Sequence, residues 1–338
     1  MVDETRPWLV RRRPGPGIDW DFVAYWALSA CVLAAGLLSL NVFAAYFATY
    51  PDRLFGDARL YYEATAAWLS GGNPWVTRSA EGIVFAGPPT TLLLNLPLQP
   101  FGAEVARVFW AVAGLLGWLC VMRRLRLAPW FLLFPPFLEG YLAGSPDSVL
   151  AGLAVLGGGA LAAMSKPYSV PALMADRQWR ALGVAAVAVV VTLPFLPWGL
   201  FLTQLGAVQE AFATQSRNVS AAGNLPLMVA AALALVSLGP RLGLRLAVPA
   251  LWPGAQLHYS MFSSKAAAAS AFLALALSVP GFAAIGIVMY AIFVRVIRPR
   301  VTGAGPAGKA GNGRGRGWHV VRDRFARVSR LGSSRTDD

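Results

Sequence analysis

Four of the chain's 16 carboxylates crowd one stretch, YPDRLFGDARLYYEATAAWLSGGNPW and the residues just after it: Asp52, Asp57, Glu63 and Glu81. Gly56 can start a turn there. Asp57 stands where an N-cap belongs, ahead of a helix-forming run over residues 58–69. Gly71 and Gly72 then end the helix, and Pro74 prevents its resumption. At helical spacing Asp57, Tyr61, Ala64 and Trp68 share one face. A carboxylate, a phenol and an indole on one face of a short helix could receive a sugar. The same pattern also suits a helix cap with aromatics resting at a membrane interface.

Other reactive side chains are few. His258, with Tyr259 beside it and Lys265 seven residues on, lies in an apolar run. A polar residue in such a setting is functional by default, or is a histidine hydrogen-bonded between helices. Glu139 and Asp147 flank the turn LEGYLAGSPD, where they serve acceptor binding or loop solubility. Arg59, Arg78 and Arg217 are basic positions of outer loops, and each could be a solvated charge. Lys166 reads as a topology or lipid-phosphate residue rather than a catalytic one. Asn218-Val-Ser220 fits a glycosylation sequon, which means little in a bacterial chain. Cys31 and Cys120 have no pairing spacing, and the two histidines argue against a zinc site of the usual kind. No metal and no cofactor is expected.

The elements that must position these residues are membrane helices. Of 338 residues, 57% are hydrophobic and 13% charged, against about a quarter charged in soluble domains, and the mean hydropathy is +0.55. Uncharged runs cover 22–48, 181–209, 218–240, 246–264 and 266–294. About 20 apolar residues cross a bilayer as a helix, so five spans are expected, with shorter candidates at 83–98, 108–122, 128–142 and 148–164. The segment 83–98, broken by Pro88, Pro89 and Pro97, is expected to dip in and return around a cavity. The fold class is therefore an all-α, polytopic transmembrane bundle of about 8–10 spans with short outer-face loop helices. A soluble enzyme and a single-anchor receptor are excluded.

The formal charge of +13 is read as topology, not as nucleic-acid binding. With both termini cytoplasmic, 23 Lys and Arg lie inside, among them Arg11–Arg13, Arg123, Arg124, Arg126, Lys166, Arg177, Arg180, Arg241 and Arg245. Six lie outside: Arg53, Arg59, Arg78, Arg107, Arg217 and Lys265. The bias to 26 Arg over three Lys, with abundant Ala, Gly and Pro, suggests a GC-rich genome and a bacterial plasma membrane. The domain plan is a cytoplasmic segment 1–21, a membrane domain 22–297 with outer loop 49–81, and a basic, disordered cytoplasmic tail 298–338 drawn to anionic lipids.

The Gly-Asp pair followed by Tyr, paired small residues, Leu, Gly and Pro-aromatic resembles the first loop of glycosyltransferase family 87, which has the GT-C fold. FAGPPTTLLLNLPLQPFGAEVARVFW, SKPYSVPALMADRQWRAL and QLHYSMFS are similar to later segments of that family, so the resemblance covers about residues 50–265. It implies an inverting enzyme of the cell envelope, as in actinobacterial lipoglycan synthesis. Such an enzyme moves a sugar from a polyprenyl-phosphate carrier to a glycolipid or polysaccharide acceptor on the outer face. Mannose is the first donor implied and arabinofuranose the second. It places the catalytic base at Asp57. Beside it, the residues read as candidate substrate contacts are Tyr61, Tyr62, Arg59, Glu139, Asp147, His258, Tyr259 and Lys265, with His258 and Lys265 as candidates for the donor phosphate. A transporter without chemistry and a non-catalytic GT-C-like partner protein are the alternatives.

Overall fold

A computed structural model describes residues 20–80, 82–214 and 219–297. Arg11–Arg13, Glu81, Arg217, Asn218 and the tail from 298 fall outside the described residues. The chain divides into two units after Phe293, and the account below concerns the first. Among the described residues it is all helical, without a strand. The α-helices are α1 (Trp20–Thr49), α2 (Gly56–Leu69), α3 (Ala103–Leu125), α4 (Pro135–Ala143), α5 (Asp147–Leu156), α6 (Gly159–Ser165), α7 (Val170–Ala175), α8 (Trp179–Thr192), α9 (Trp198–Thr214), α10 (Leu225–Leu238), α11 (Pro240–Leu251), α12 (Ser264–Ala269), α13 (Ala271–Ser278) and α14 (Ala283–Ile292). Short 3₁₀ turns join them, including Pro89–Leu94, Leu96–Phe101 and Leu257–Ser263.

Two helices, Val23–Thr49 and Ala103–Leu125, are long and apolar enough to cross a membrane by length and composition. Of the five expected spans, only the first is one continuous helix. The run 181–209 breaks between α8 and α9, where Pro194 and Pro197 each remove a backbone donor. The run 246–264 ends its α-helix at Leu251, and 266–294 is split at Val279-Pro280-Gly281. At 1.5 Å per residue, the 14-residue helices α8 and α10 reach about 21 Å, short of the roughly 30 Å of a hydrocarbon core. The segment 83–98 contains no α-helix, as its prolines require.

The outer surface is apolar in rows at helical spacing. Val105, Val108 and Val112 of α3, Val184, Val187 and Val191 of α8, and Val229, Leu233 and Val236 of α10 are all exposed, Val236 to 79%. Three charged groups, Asp147, Lys166 and His258, are buried inside. Exposed apolar rows of this extent mark a membrane or partner contact. The largest apolar core packs Trp118 of α3 nearly parallel to Phe134 and Phe137, at 6.0 and 4.9 Å between ring centroids.

The expected span 148–164 is a hairpin. α5 ends at Gly157 in the left-handed region, and α6 runs back from Gly159. Its two open ends meet, with Lys166 Nζ 3.5 Å from Asp147 Oδ1. α5 crosses α3 at a contact of small residues. A Cβ on Gly117 would sit 2.5 Å from the Ser148 carbonyl oxygen and 2.7 Å from Val149 Cα. Both are backbone atoms that cannot step aside. Gly117→Leu is therefore expected to destabilise by at least the about 1–3 kcal/mol of ordinary overpacking, seen as a lower unfolding temperature in detergent. Wild-type stability in Gly117→Leu would show that the crossing is looser than described.

Candidate active site

The site is built from the first turn of α2, the α4–α5 corner, the residue after α6 and the 3₁₀ turn Leu257–Ser263. Phe55, in the left-handed region at φ 56°, turns the chain into α2 and donates its N–H to the Leu142 carbonyl at 2.9 Å. This bond fixes the start of α2 against the end of α4. Phe55 occupies the cap position, and no side chain caps the helix. Asp57 is thus one residue inside the helix, not the N-cap that its spacing predicts. Its carboxylate makes no hydrogen bond or ion pair among the described residues. Burial pushes its pKa above the ordinary carboxylate value; the charges of His258 and Lys166 oppose this without cancelling it.

The other three carboxylate and base positions are tied together. His258 Nδ1 lies 3.0 Å from Glu139 Oε2, and the His258 backbone N–H donates to the same oxygen at 2.8 Å. His258 Nε2 stands 3.1 Å from Asp147 Oδ2. Asp147 Oδ1 accepts the Tyr168 hydroxyl at 2.6 Å and faces Lys166. Lys166 Nζ also donates to the Tyr61 hydroxyl, at 2.5 Å. Tyr168 and Tyr259 stack at 3.8 Å between centroids. Gly140 makes the corner possible, because a Cβ there would come within 2.7 Å of Met261 Cε and 2.9 Å of His258 Cβ.

A cavity of about 1220 Å³ opens beside this network. Asp57, Tyr61, Glu139, Lys166, His258 and Tyr259 line its polar part, and Gly87 and Pro88 of the broken segment 83–98 contribute to its wall. Phe43, Phe47, Val189, Phe201 and Leu205 supply an apolar part from α1, α8 and α9. The face predicted for α2 is present: Tyr61 and Ala64 are buried in one cluster, against which Trp68 packs.

Several expected contacts lie elsewhere. The Tyr62 hydroxyl donates to the Gln99 carbonyl at 3.0 Å, away from the cavity. Arg59 is exposed and pairs with Glu63 at 2.7 Å along one helix face. Lys265, expected near His258, instead pairs with Asp176, which also takes Arg245 at 2.8 Å. The charge distribution puts Arg245 and Lys265 on opposite sides of the membrane, yet they share one carboxylate. It puts Lys166 on the face opposite Asp57, yet both line one cavity. The hairpin α5–α6 is the reason, since it returns the chain to the end it left. His258 sits in a 3₁₀ turn rather than a spanning helix, with both ring nitrogens turned to carboxylates and not to an open phosphate site. Tyr168, which no sequence pattern singles out, joins the network through Asp147 and Tyr259. No protein-family model, no curated protein and no solved structure matches the chain.

Proposed function

We propose that this chain is an inverting glycosyltransferase of GT-C type in a bacterial plasma membrane. It would move a sugar from a polyprenyl-phosphate carrier to a glycolipid or polysaccharide acceptor at the outer face. One observation carries the reading. Of the three described carboxylates in and beside the cavity, Glu139 and Asp147 are held by cations or hydrogen bonds, and Asp57 lines the space with no hydrogen bond or ion pair among the described residues. A general base must be available in this way, and a pKa raised by burial makes it a better proton acceptor near neutral pH.

In the reaction, the acceptor hydroxyl oxygen attacks C1 of the sugar from the side opposite the phosphate. The new C1–O bond forms as the old one breaks, Asp57 takes the hydroxyl proton, and the polyprenyl phosphate leaves with the bonding electrons. The polar and apolar parts of the cavity suit a ligand with a hydroxylated head and a hydrocarbon tail. The apolar outer rows and the two long helices support the polytopic membrane fold that this reading requires.

The test is sugar transfer by purified protein from synthetic polyprenyl-phosphate mannose, then arabinofuranose, to a membrane glycolipid extract. The base must be deprotonated, so the rate is expected to be full above the Asp57 pKa and to fall as pH drops through it. That fall should lie at higher pH than the roughly 3.9 of an exposed aspartate. No transfer with either donor would favour the non-catalytic readings.

A further inference from the structure

Resting on the glycosyl-transfer reading, we propose that Trp252, Tyr168 and Tyr259 form a wall of the cavity that binds a sugar ring. All three line the cavity. Tyr168 stands between the other two. Tyr259 stacks on it at 3.8 Å between centroids and 14° between planes, and Trp252 meets it edge-on at 6.3 Å. Other aromatic donors around the cavity are spent inside the fold. The Tyr168 hydroxyl donates to Asp147 at 2.6 Å, and the Trp198 indole N–H donates to the Thr192 hydroxyl at 3.3 Å. The indole N–H of Trp252 and the hydroxyl of Tyr259 are different. Neither makes a hydrogen bond among the described residues, and neither atom is sealed inside the protein. Tyr259 is only 8% exposed, so its hydroxyl opens onto the cavity that it lines.

A sugar ring has an apolar C–H face bordered by hydroxyls. Aromatic rings that carry an N–H or O–H at one end match both parts. A hydrocarbon tail would satisfy the rings but leave the two donors unmatched, at a cost in binding. The wall is also built before any ligand arrives. The Val219 N–H donates to the Ala255 carbonyl at 2.8 Å, and the Ala255 N–H donates to the Trp252 carbonyl at 3.1 Å. The Ser220 hydroxyl donates to that same Trp252 carbonyl at 2.7 Å, and the Tyr259 N–H to the Gln256 carbonyl at 3.1 Å. Rings held in this way need little ordering when a ligand binds. Asp57 lines the same cavity, so a sugar on the wall shares its space with the proposed base.

The experiment measures binding of mannobiose and of arabinobiose to protein in nanodiscs by saturation-transfer NMR, which needs no turnover. Wild type is expected to bind at least one of them. Tyr259→Phe removes a hydroxyl that the fold does not use, and it should weaken that binding about two- to ten-fold, the value of one hydrogen bond. Trp252→Leu loses both ring and donor and should weaken it by about ten-fold or more, with Trp252→Phe in between. No saccharide binding by wild type, or equal binding by wild type, Tyr259→Phe and Trp252→Leu, would overturn the assignment. In transfer assays, the KM that Trp252→Leu raises tells whether the acceptor's ring or the donor's is held. If saccharide binding depends on the wall but no sugar is ever transferred, the subsite stands and the transferase reading falls. Transfer by Trp252→Leu and Tyr259→Phe with both KM values unchanged would do the reverse.

Discussion

Asp57→Asn is expected to insert and fold as wild type yet lose at least about 10²-fold in sugar transfer, the lower end of what a positioned base contributes. The substitution is nearly isosteric and keeps an oxygen that can accept a hydrogen bond. It removes only the capacity to take a proton at neutral pH. Because Phe55, not Asp57, holds the cap position and no side chain caps α2, the change should cost the helix little. A loss of rate can then be assigned to chemistry. Steady-state transfer with matched unfolding temperatures measures it, and the acid limb of the wild-type pH profile should vanish from any residual activity. Wild-type turnover in Asp57→Asn would end the base assignment and move attention to Glu139.

Lys166→Met is expected to cost about 3–5 kcal/mol of stability, since it leaves a buried carboxylate without its cation. Asp147 is fully buried and Lys166 only 6% exposed. The Tyr168 hydroxyl and His258 would remain as partners of Asp147, but the ammonium charge would be gone. Thermal unfolding in a mild detergent reads the loss. The double variant Lys166→Met with Asp147→Asn should recover most of it, because it deletes both charges together. If Lys166→Met unfolds within about 1 kcal/mol of wild type, Lys166 is not the counter-ion that the geometry describes.

Much of the site was legible in the sequence because its signals are local. The i, i+4, i+7 spacing of Asp57, Tyr61 and Ala64 places them on one face, and the proline-broken segment does line a cavity. Glu139, Asp147 and His258 stood out as rare polar residues among apolar ones. Their mutual contacts were not legible, since 119 residues separate Glu139 from His258. Charge counting sets Lys166 apart from Asp57 because it assumes that each apolar run crosses, whereas both line one cavity. The corrective signal was present in Gly157-Gly158-Gly159, a turn former in the middle of the run 148–164. Lys265 was drawn to His258 by nearness in sequence, whereas the turn Leu257–Ser263 and α12 carry it away to Asp176.

The returning hairpin also bears on how such a chain is made. α4 and α5 have nine and ten residues, so each reaches about 15 Å and could not lodge in a bilayer alone. On the membrane reading, Asp147 and Lys166 can leave the insertion machinery together, as one neutral pair released when the hairpin closes. Glu139 and His258 meet across 119 residues of sequence, so the corner at the end of α4 is completed only when the turn Leu257–Ser263 has been made.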